Sequence, residues 1–144
     1  MMSDLTVVIN LSVAFILGGL IGWLREKEGK TAGLRTHILV CVSGALLMML
    51  SGEMMAFSKI ADPGRIAAGV ITGIGFIGAG CIVQARGSVK GITTAASIWI
   101  TTAIGMASGL SLYLSAVVAT IITLITLEAL RHVEKRIIKT KDSD

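Results

Sequence analysis

The side chains of this 144-residue chain that could do chemistry lie at the ends of its apolar stretches, not in their middles. No Asp, Glu, Lys, Arg or His occurs near the centre of an uncharged stretch, although proton relays in membranes usually need such groups. Directly bound Mg²⁺ also prefers carboxylate oxygens. The sequence shows no serine, histidine and acid arrangement, HExxH motif or phosphate-binding loop. We therefore expect a protein that is not an enzyme and that carries no cofactor.

Hydroxyl side chains form one candidate site, a polar stripe in the second half of the chain. Thr94, Ser97 and Thr101 are spaced by three and four residues, so a helix would place them on one face. Two interpretations stay open. The hydroxyls bond to carbonyls of their own or a neighbouring helix, or they line a polar path for a hydrated ion.

Basic residues form a second candidate site near two predicted helix starts. The N-terminus of a helix presents unpaired N–H groups and the positive end of its dipole, which favours anions. This arrangement predicts a site for a lipid phosphate or a partner's carboxylate. Alternatively, the basic residues only fix the topology among lipid headgroups. The residues of this predicted anion site are Arg25, Arg35, Thr36, His37, Arg86, Lys90 and Thr93.

A smaller group of charged residues lies on the opposite side of the predicted helices. Asp62 and Arg65 are close enough in sequence to pair, and the carboxylates of Glu53 and Asp62 are weak candidates for holding a hydrated cation. Asp62 also precedes Pro63 in the pattern of an N-cap acid followed by proline at the first helical position. A helix start is therefore predicted there, and a firm metal site is not.

Composition identifies the elements that must position these groups as membrane helices. The chain is 53% hydrophobic and only 15% charged, whereas a soluble domain carries about 25% charged residues. About 20 apolar residues cross a bilayer. Three uncharged stretches suit one crossing each, and a fourth is long enough to be divided near Ser108-Gly109. We predict an all-α, compact, glycine-rich bundle of five transmembrane helices, with spans of about 5–24, 36–52, 66–85, 92–107 and 110–130.

The distribution of basic residues predicts the orientation of this bundle. With five spans and the N-terminus outside, 11 Lys and Arg residues lie inside and 2 lie outside. Because cytoplasmic loops of membrane proteins are enriched in Lys and Arg, we predict an outside N-terminus and a cytosolic C-terminus. Residues 1–130 then form the membrane domain and residues 131–144 a basic cytosolic tail. The positive charge indicates contact with the anionic lipids of the bilayer and not with nucleic acid.

Glycines mark the helix faces that are predicted to pack closely. The run from Gly73 to Gly78 matches GxGxxG, but no strand precedes it and it lies within a predicted crossing, so a dinucleotide site is rejected. Small residues at helical spacing instead let membrane helices approach one another closely. An unwound segment that lines a cavity is the alternative. The predicted packing glycines are Gly18, Gly22, Gly69, Gly73, Gly75, Gly78 and Gly80.

Several ordered motifs closely resemble the MgtC/SapB family of bacterial membrane proteins. They are Arg25-Glu26 followed by AGLRTH (32–37), DPGRIA (62–67), GIGFIGAG (73–80) and GITTAASIW (91–99). The resemblance implies a multi-pass protein of the bacterial inner (cytoplasmic) membrane. Many members of the family add a soluble domain that resembles ACT domains, and we expect this chain to be a short form without that domain.

The same resemblance implies the expected function. Members are associated with growth in low magnesium, with stress adaptation and with virulence, and the ATP synthase is the partner that the resemblance suggests. We expect a protein that modulates Mg²⁺ homeostasis or stress adaptation through helix–helix contacts with its own copies or with other membrane proteins. The alternative is a small transporter or channel for Mg²⁺ or another ion.

Overall fold

A computed structural model of the chain describes residues 2–57, 62–85 and 88–141. Within these residues the fold consists of five helices and one short antiparallel hairpin, so the predicted helical class with five helices is confirmed. The helices are α1 (Asp4–Lys27), α2 (Leu34–Phe57), α3 (Pro63–Gly80), α4 (Ile92–Gly109) and α5 (Tyr113–Lys141), and the hairpin strands are β1 (Val83–Ala85) and β2 (Ser88–Lys90).

Local sequence explains where several of these helices begin and end. Asp62 caps α3 by accepting a 2.8 Å hydrogen bond from the N–H of Gly64, with proline at the start of the helix as predicted. The predicted break near Ser108-Gly109 is also confirmed, because α4 ends at Gly109. The chain then turns through Ser111, whose φ is 60°. These signals are local, and the structure follows them.

The connection between α3 and α4 differs from the prediction. The uncharged stretch 66–85 was expected to be one helix, but α3 ends at Gly80 and Val83 pairs with Lys90 in the hairpin. The N–H groups of Cys81 and Ile82 donate to the carbonyls of Gly78 and Ala79 at 3.0 Å, which closes the last turn of α3. Glycine is a poor helix former, and the β-branched Ile82 follows Gly80 and Cys81. The length of this helix was therefore overestimated when it was inferred from the absence of charge alone.

The centre of the bundle is formed by α1, α2 and α4, whose backbones approach closely at glycines. A Cβ atom on Gly18 would lie 2.7 Å from the Cβ of Cys41, and one on Gly22 would lie 2.7 Å from the Cα of Leu34. Gly105 of α4 packs directly against the carbonyl of Cys41 in the same way. Gly18 and Gly22 therefore lie where the backbones of α1 and α2 approach each other closely.

The outer surface of the bundle is apolar, whereas several polar side chains lie inside. Leu114 is 79% exposed, and large aliphatic residues on every helix are exposed with it. Within the described residues, α1 and the Leu34–Met55 part of α2 are long and apolar enough to cross a membrane, and Gly64–Gly80 and Tyr113–Ala129 are shorter apolar helices. An apolar surface of this extent suits contact with lipid. Five crossings and the direction of the termini stay predictions.

Candidate functional site

A buried arginine joins α1 to α4 at one end of the bundle, which we call the Arg25 end. Arg25 is only 2% exposed, and its Nη2 donates to the Oγ1 of Thr94 at 2.9 Å. Its Nη1 lies 3.4 Å from Oε2 of Glu28, whose side chain is 3% exposed. The pair with Glu28 compensates the costly burial of the Arg25 charge, and the hydrogen bond to Thr94 joins α1 to α4.

His37 connects α2 to the same part of α4. It is fully buried, and its Nδ1 lies 2.8 Å from the carbonyl oxygen of Gly33. A carbonyl only accepts hydrogen bonds, so Nδ1 carries a proton. The other ring nitrogen, Nε2, lies 3.1 Å from Oγ of Ser97. His37 is therefore a buried link between two helices, and not a group of an open anion site.

The predicted polar stripe on α4 is buried along its length. Thr94, Ser97 and Thr101 all lie inside the bundle, together with Ser108. The hydroxyl of Ser97 donates to the carbonyl of Thr94 at 2.8 Å, and that of Thr101 donates to the carbonyl of Ser97 at 2.7 Å. These donors are bonded to their own helix, as in the first of the two interpretations. Close to the stripe, Gly105 packs on the carbonyl of Cys41, which closes the space between α4 and α2.

A second polar cluster, missed by the sequence analysis, lies at the opposite end of the bundle around Asn10. This side chain is fully buried, and its Nδ2 donates to the carbonyl of Gly109 at 3.0 Å. Its Oδ1 accepts from the hydroxyl of Tyr113 at 2.6 Å and from that of Ser111 at 3.2 Å. Asn10 therefore holds α1 against the turn between α4 and α5. Its position as the only asparagine, within an otherwise apolar stretch, was the available signal.

The glycines of α3 do not share one environment. Gly78 faces α4, where an added Cβ would lie 3.5 Å from the Cβ of Ala95. Gly69, Gly73, Gly75 and Gly80 have no atom within 4 Å of an added Cβ among the described residues, and Phe76 beside them is 84% exposed. We call the surface formed by Gly69, Gly73, Phe76 and Gly80 the open face of α3, whereas Gly75 lies on another side of the helix. Close packing at these glycines is not observed among the described residues. It stays a prediction, and the contact would have to be made by a helix of another chain.

A cavity of about 480 Å³ lies at the Arg25 end, between the α1–α2 loop, the hairpin and the start of α4. Three basic residues line it, Arg25, Lys30 and Lys90, and we call it the basic cavity. Gly91 is the N-cap of α4 and provides no side-chain cap, so the first turn of this helix opens towards the cavity. Of the residues predicted to form an anion site, Arg25, Lys90 and Thr93 line this cavity.

The remaining residues of the predicted anion site are placed differently. Thr93 lines the basic cavity with Lys90, as predicted. Arg35, Thr36 and His37 belong to the first turns of α2 and are not among the residues that line the cavity. Arg86 lies outside the described residues. Lys30 was not predicted, and it joins the cavity because the α1–α2 loop folds towards the start of α4.

The charged residues at the Asn10 end do not form a metal site among the described residues. Oδ1 of Asp62 is engaged in capping α3, and no salt bridge between Asp62 and Arg65 is observed although both are described. A carboxylate oxygen of Glu53 accepts a hydrogen bond from the backbone N–H of Met2. No group of three or more His, Cys, Asp or Glu side chains that could hold a metal ion occurs in the described part of the chain.

Comparison with known proteins identifies the family. The model of the MgtC family matches residues 11–136. The chain belongs to the MgtC family. It is 42% identical over 135 residues to the "Putative magnesium transporter YhiD" of Escherichia coli K12, with 90% of this chain and 63% of that protein covered. The comparison with solved structures finds no match.

Two further relatives in the family are the proteins named "Protein MgtC" in Salmonella typhimurium LT2 and in Brucella abortus. The first is 41% identical over 130 residues, covering 90% of this chain and 54% of the relative. The second is 42% identical over 111 residues, covering 77% and 45%. This MgtC-family chain therefore spans roughly half to two thirds of the length of the relatives it matches. The resemblance predicted from the motifs is confirmed.

Proposed function

We propose that this MgtC-family chain modulates Mg²⁺ homeostasis, and with it adaptation to stress, by binding helices of other membrane proteins or of a second copy. We propose further that it does so without catalysing a reaction. The observation that carries the proposal is the open face of α3. Glycine surfaces of this kind drive helix association in membranes, where no hydrophobic effect between helices is available.

The open face of α3 differs from the glycine surfaces that pack within the chain, because no described residue covers it. α3 packs on α4 around Gly78 and Ile74, and the opposite side of the helix carries Gly69, Gly73 and Gly80. Residues spaced by four or seven positions lie on one side of a helix, so these three glycines form a continuous shallow surface. Phe76 stands beside it as an exposed aromatic side chain. A second helix can therefore approach the α3 backbone along two turns or more.

The interior of the bundle favours a function through contacts with other helices over the conduction of an ion. The hydroxyls of Ser97 and Thr101 are bonded to backbone carbonyls of their own helix, and Gly105 packs tightly against α2. An ion that passed along α4 would have to displace these contacts. The described residues also contain no cluster of metal-binding side chains. Contact through α3 needs no such rearrangement.

The proposed location is the bacterial inner membrane, with five crossings, an outside N-terminus and a cytosolic C-terminus. The excess of Lys and Arg at the Arg25 end supports this orientation, since Arg25, Lys30, Arg35 and Lys90 all belong to segments at that end. In this orientation the basic cavity faces the cytosolic leaflet. The open face of α3 lies within the depth of the membrane, where it can meet the helices of a partner.

Transport of Mg²⁺ is the second candidate function. The name of the E. coli relative, "Putative magnesium transporter YhiD", favours it, and so does the burial of the hydroxyl stripe along α4. If the stripe carried ions, the Thr101→Val variant would keep the shape of the side chain and lose an oxygen that an ion needs. Its effect on flux separates the two functions.

The test of the proposed function uses the glycines of the open face. In Gly73→Leu, the added Cβ has no atom of the described chain within 4 Å, so we expect the bundle to fold while close helix approach is blocked. Energy transfer between labelled copies in liposomes should report a fall in self-association of about tenfold, which corresponds to about 1.4 kcal/mol. In cells that lack their own copy, the variant should also fail to restore growth in medium low in Mg²⁺.

Gly52→Leu is the matched control for this test. Gly52 lies in α2 and also has no atom within 4 Å of an added Cβ among the described residues, but it is not on the open face of α3. It should associate and support growth as the original chain does. If Gly73→Leu supported growth as well as Gly52→Leu, with both proteins present in the membrane at equal amounts, the proposed function would be wrong.

A further inference from the structure

The basic cavity at the Arg25 end adjoins an apolar groove on the side of the bundle. The groove runs between α4 and α5 and has a volume of about 690 Å³. Thr93, at the start of α4, lines both the cavity and the groove. We propose that the two features together bind one anionic phospholipid, with its phosphate in the basic cavity and an acyl chain along the groove. This proposal does not rest on the helix contacts of α3.

The charge of the cavity matches a phosphate. Arg25, Lys30 and Lys90 line it, and no acidic residue does so among the described residues. Lys30 and Lys90 are exposed, so their long side chains can reach a headgroup at the membrane surface. Arg25 is held in the wall by Thr94 and Glu28, and because its charge is paired with Glu28, the cations available to a headgroup are Lys30 and Lys90. The start of α4, capped by Gly91 without a side chain, adds backbone N–H groups and the positive end of a helix dipole.

The groove matches a hydrocarbon chain. Its walls are formed mainly by aliphatic and aromatic side chains, among them Trp99, Ile100, Ile122 and Leu127. The hydroxyls of Thr123 and Thr126, which also line it, donate to the carbonyls of Ala119 and Ile122 in their own helix and so do not compete for a polar ligand. Along α4 the groove extends from Thr93 to Ile100, about 10 Å at 1.5 Å per residue, which is the length of a large part of one acyl chain.

The basic cavity and the apolar groove meet at Thr93, and this arrangement favours a phospholipid over simpler ligands. Inorganic phosphate or a soluble phosphate ester would use the basic cavity alone, and a neutral hydrocarbon would use the groove alone. Only an amphiphile with an anionic head and an apolar chain fills both at once. The predicted orientation places this end at the cytosolic leaflet, where bacterial anionic lipids are available to it.

The proposal is tested by titrating the purified, delipidated chain with lipids and counting bound lipid by native mass spectrometry. Phosphatidylglycerol should bind about tenfold more tightly than phosphatidylcholine of the same acyl chains, because each Lys or Arg near the surface favours the anionic headgroup. The double variant K30Q/K90Q should lose this preference and bind both lipids alike. Filling the groove with Ala96→Phe should weaken the binding of both lipids.

Matched controls remove the same charge or add the same bulk elsewhere. K27Q/R35Q also removes two positive charges at the Arg25 end, from residues that do not line the cavity, and should keep the preference for phosphatidylglycerol. Ala79→Phe adds a phenyl ring to an exposed position of α3, away from the groove, and should bind as the original chain does. Equal binding of the two lipids, or equal loss in K30Q/K90Q and K27Q/R35Q, would overturn the proposal. Displacement of phosphatidylglycerol by an equal concentration of glycerol 3-phosphate would instead assign the cavity to a soluble phosphate.

Discussion

Gly105→Ala is expected to lower the free energy of unfolding of this MgtC-family protein by about 3 kcal/mol, the upper end of the usual cost of overpacking a core. An added Cβ at this position would overlap the carbonyl oxygen of Cys41. The obstacle is backbone, so it cannot move aside by changing a rotamer. The helices α2 and α4 would have to separate, and the adjoining contacts of Cys41 with Gly18 would be disturbed with them. Unfolding of the purified protein by SDS in mixed micelles measures the loss.

Gly52→Ala and Gly69→Ala are the controls for this prediction. Neither glycine has an atom within 4 Å of an added Cβ among the described residues, and both lie in helices. Alanine is the better helix former by about 0.5–1 kcal/mol, so these variants should be as stable as the original chain or slightly more stable. Equal stability of Gly105→Ala and Gly52→Ala would show that α2 and α4 do not pack as the structure has them.

Arg25→Gln is expected to destabilise the protein by about 3–5 kcal/mol, because it removes one charged partner of a buried salt bridge. The guanidinium of Arg25 pairs with Glu28 and also donates to Thr94, and both charged side chains are almost fully buried. The same SDS unfolding experiment measures the loss. The exposed Arg35, the second residue of α2, provides the control Arg35→Gln, which should change the stability little.

The double variant R25Q/E28Q separates the ion pair from the packing of the arginine side chain. The double variant no longer buries the Glu28 charge without the guanidinium of Arg25, so it should be more stable than Arg25→Gln alone. Arg25→Lys should retain part of the stability, since its ammonium keeps the charge without the fork of donors. A loss in Arg25→Gln no larger than in Arg35→Gln would contradict the role of Arg25 in joining α1 to α4.

Features encoded by neighbouring residues were predictable from the sequence. Asp62 and Pro63 mark a helix start wherever they occur together, and Ser108-Gly109 interrupts a stretch that is too long for one helix; the structure confirms both. The motifs that resemble the family also depend only on local order, and the family is confirmed. The hairpin of β1 and β2 was missed because three-residue strands show no measurable period, and the absence of charge alone extended α3 to Ala85.

Features that depend on which helices are neighbours were not predictable. Gly18 and Gly73 occur in the same kind of small-residue pattern, but only Gly18 meets another helix in the described chain. The hydrogen bond from Arg25 to Thr94 joins residues 69 positions apart, and that from Asn10 to Gly109 joins residues 99 positions apart. A residue's type limits its chemistry, whereas its partner is set by the packing of α1, α2 and α4. For this reason the basic cavity gained Lys30 and did not include His37.

The most direct test measures Mg²⁺ flux into liposomes that contain the purified chain and a trapped Mg²⁺-sensitive dye. This measurement distinguishes a function through helix contacts from the transport of Mg²⁺. If the chain acts through the open face of α3, its liposomes should take up Mg²⁺ no faster than protein-free liposomes, and Thr101→Val should change nothing. In the same preparation Gly73→Leu should lose self-association. A saturable Mg²⁺ flux that Thr101→Val abolishes and Gly73→Leu leaves intact would contradict this function and assign the hydroxyl stripe of α4 to transport.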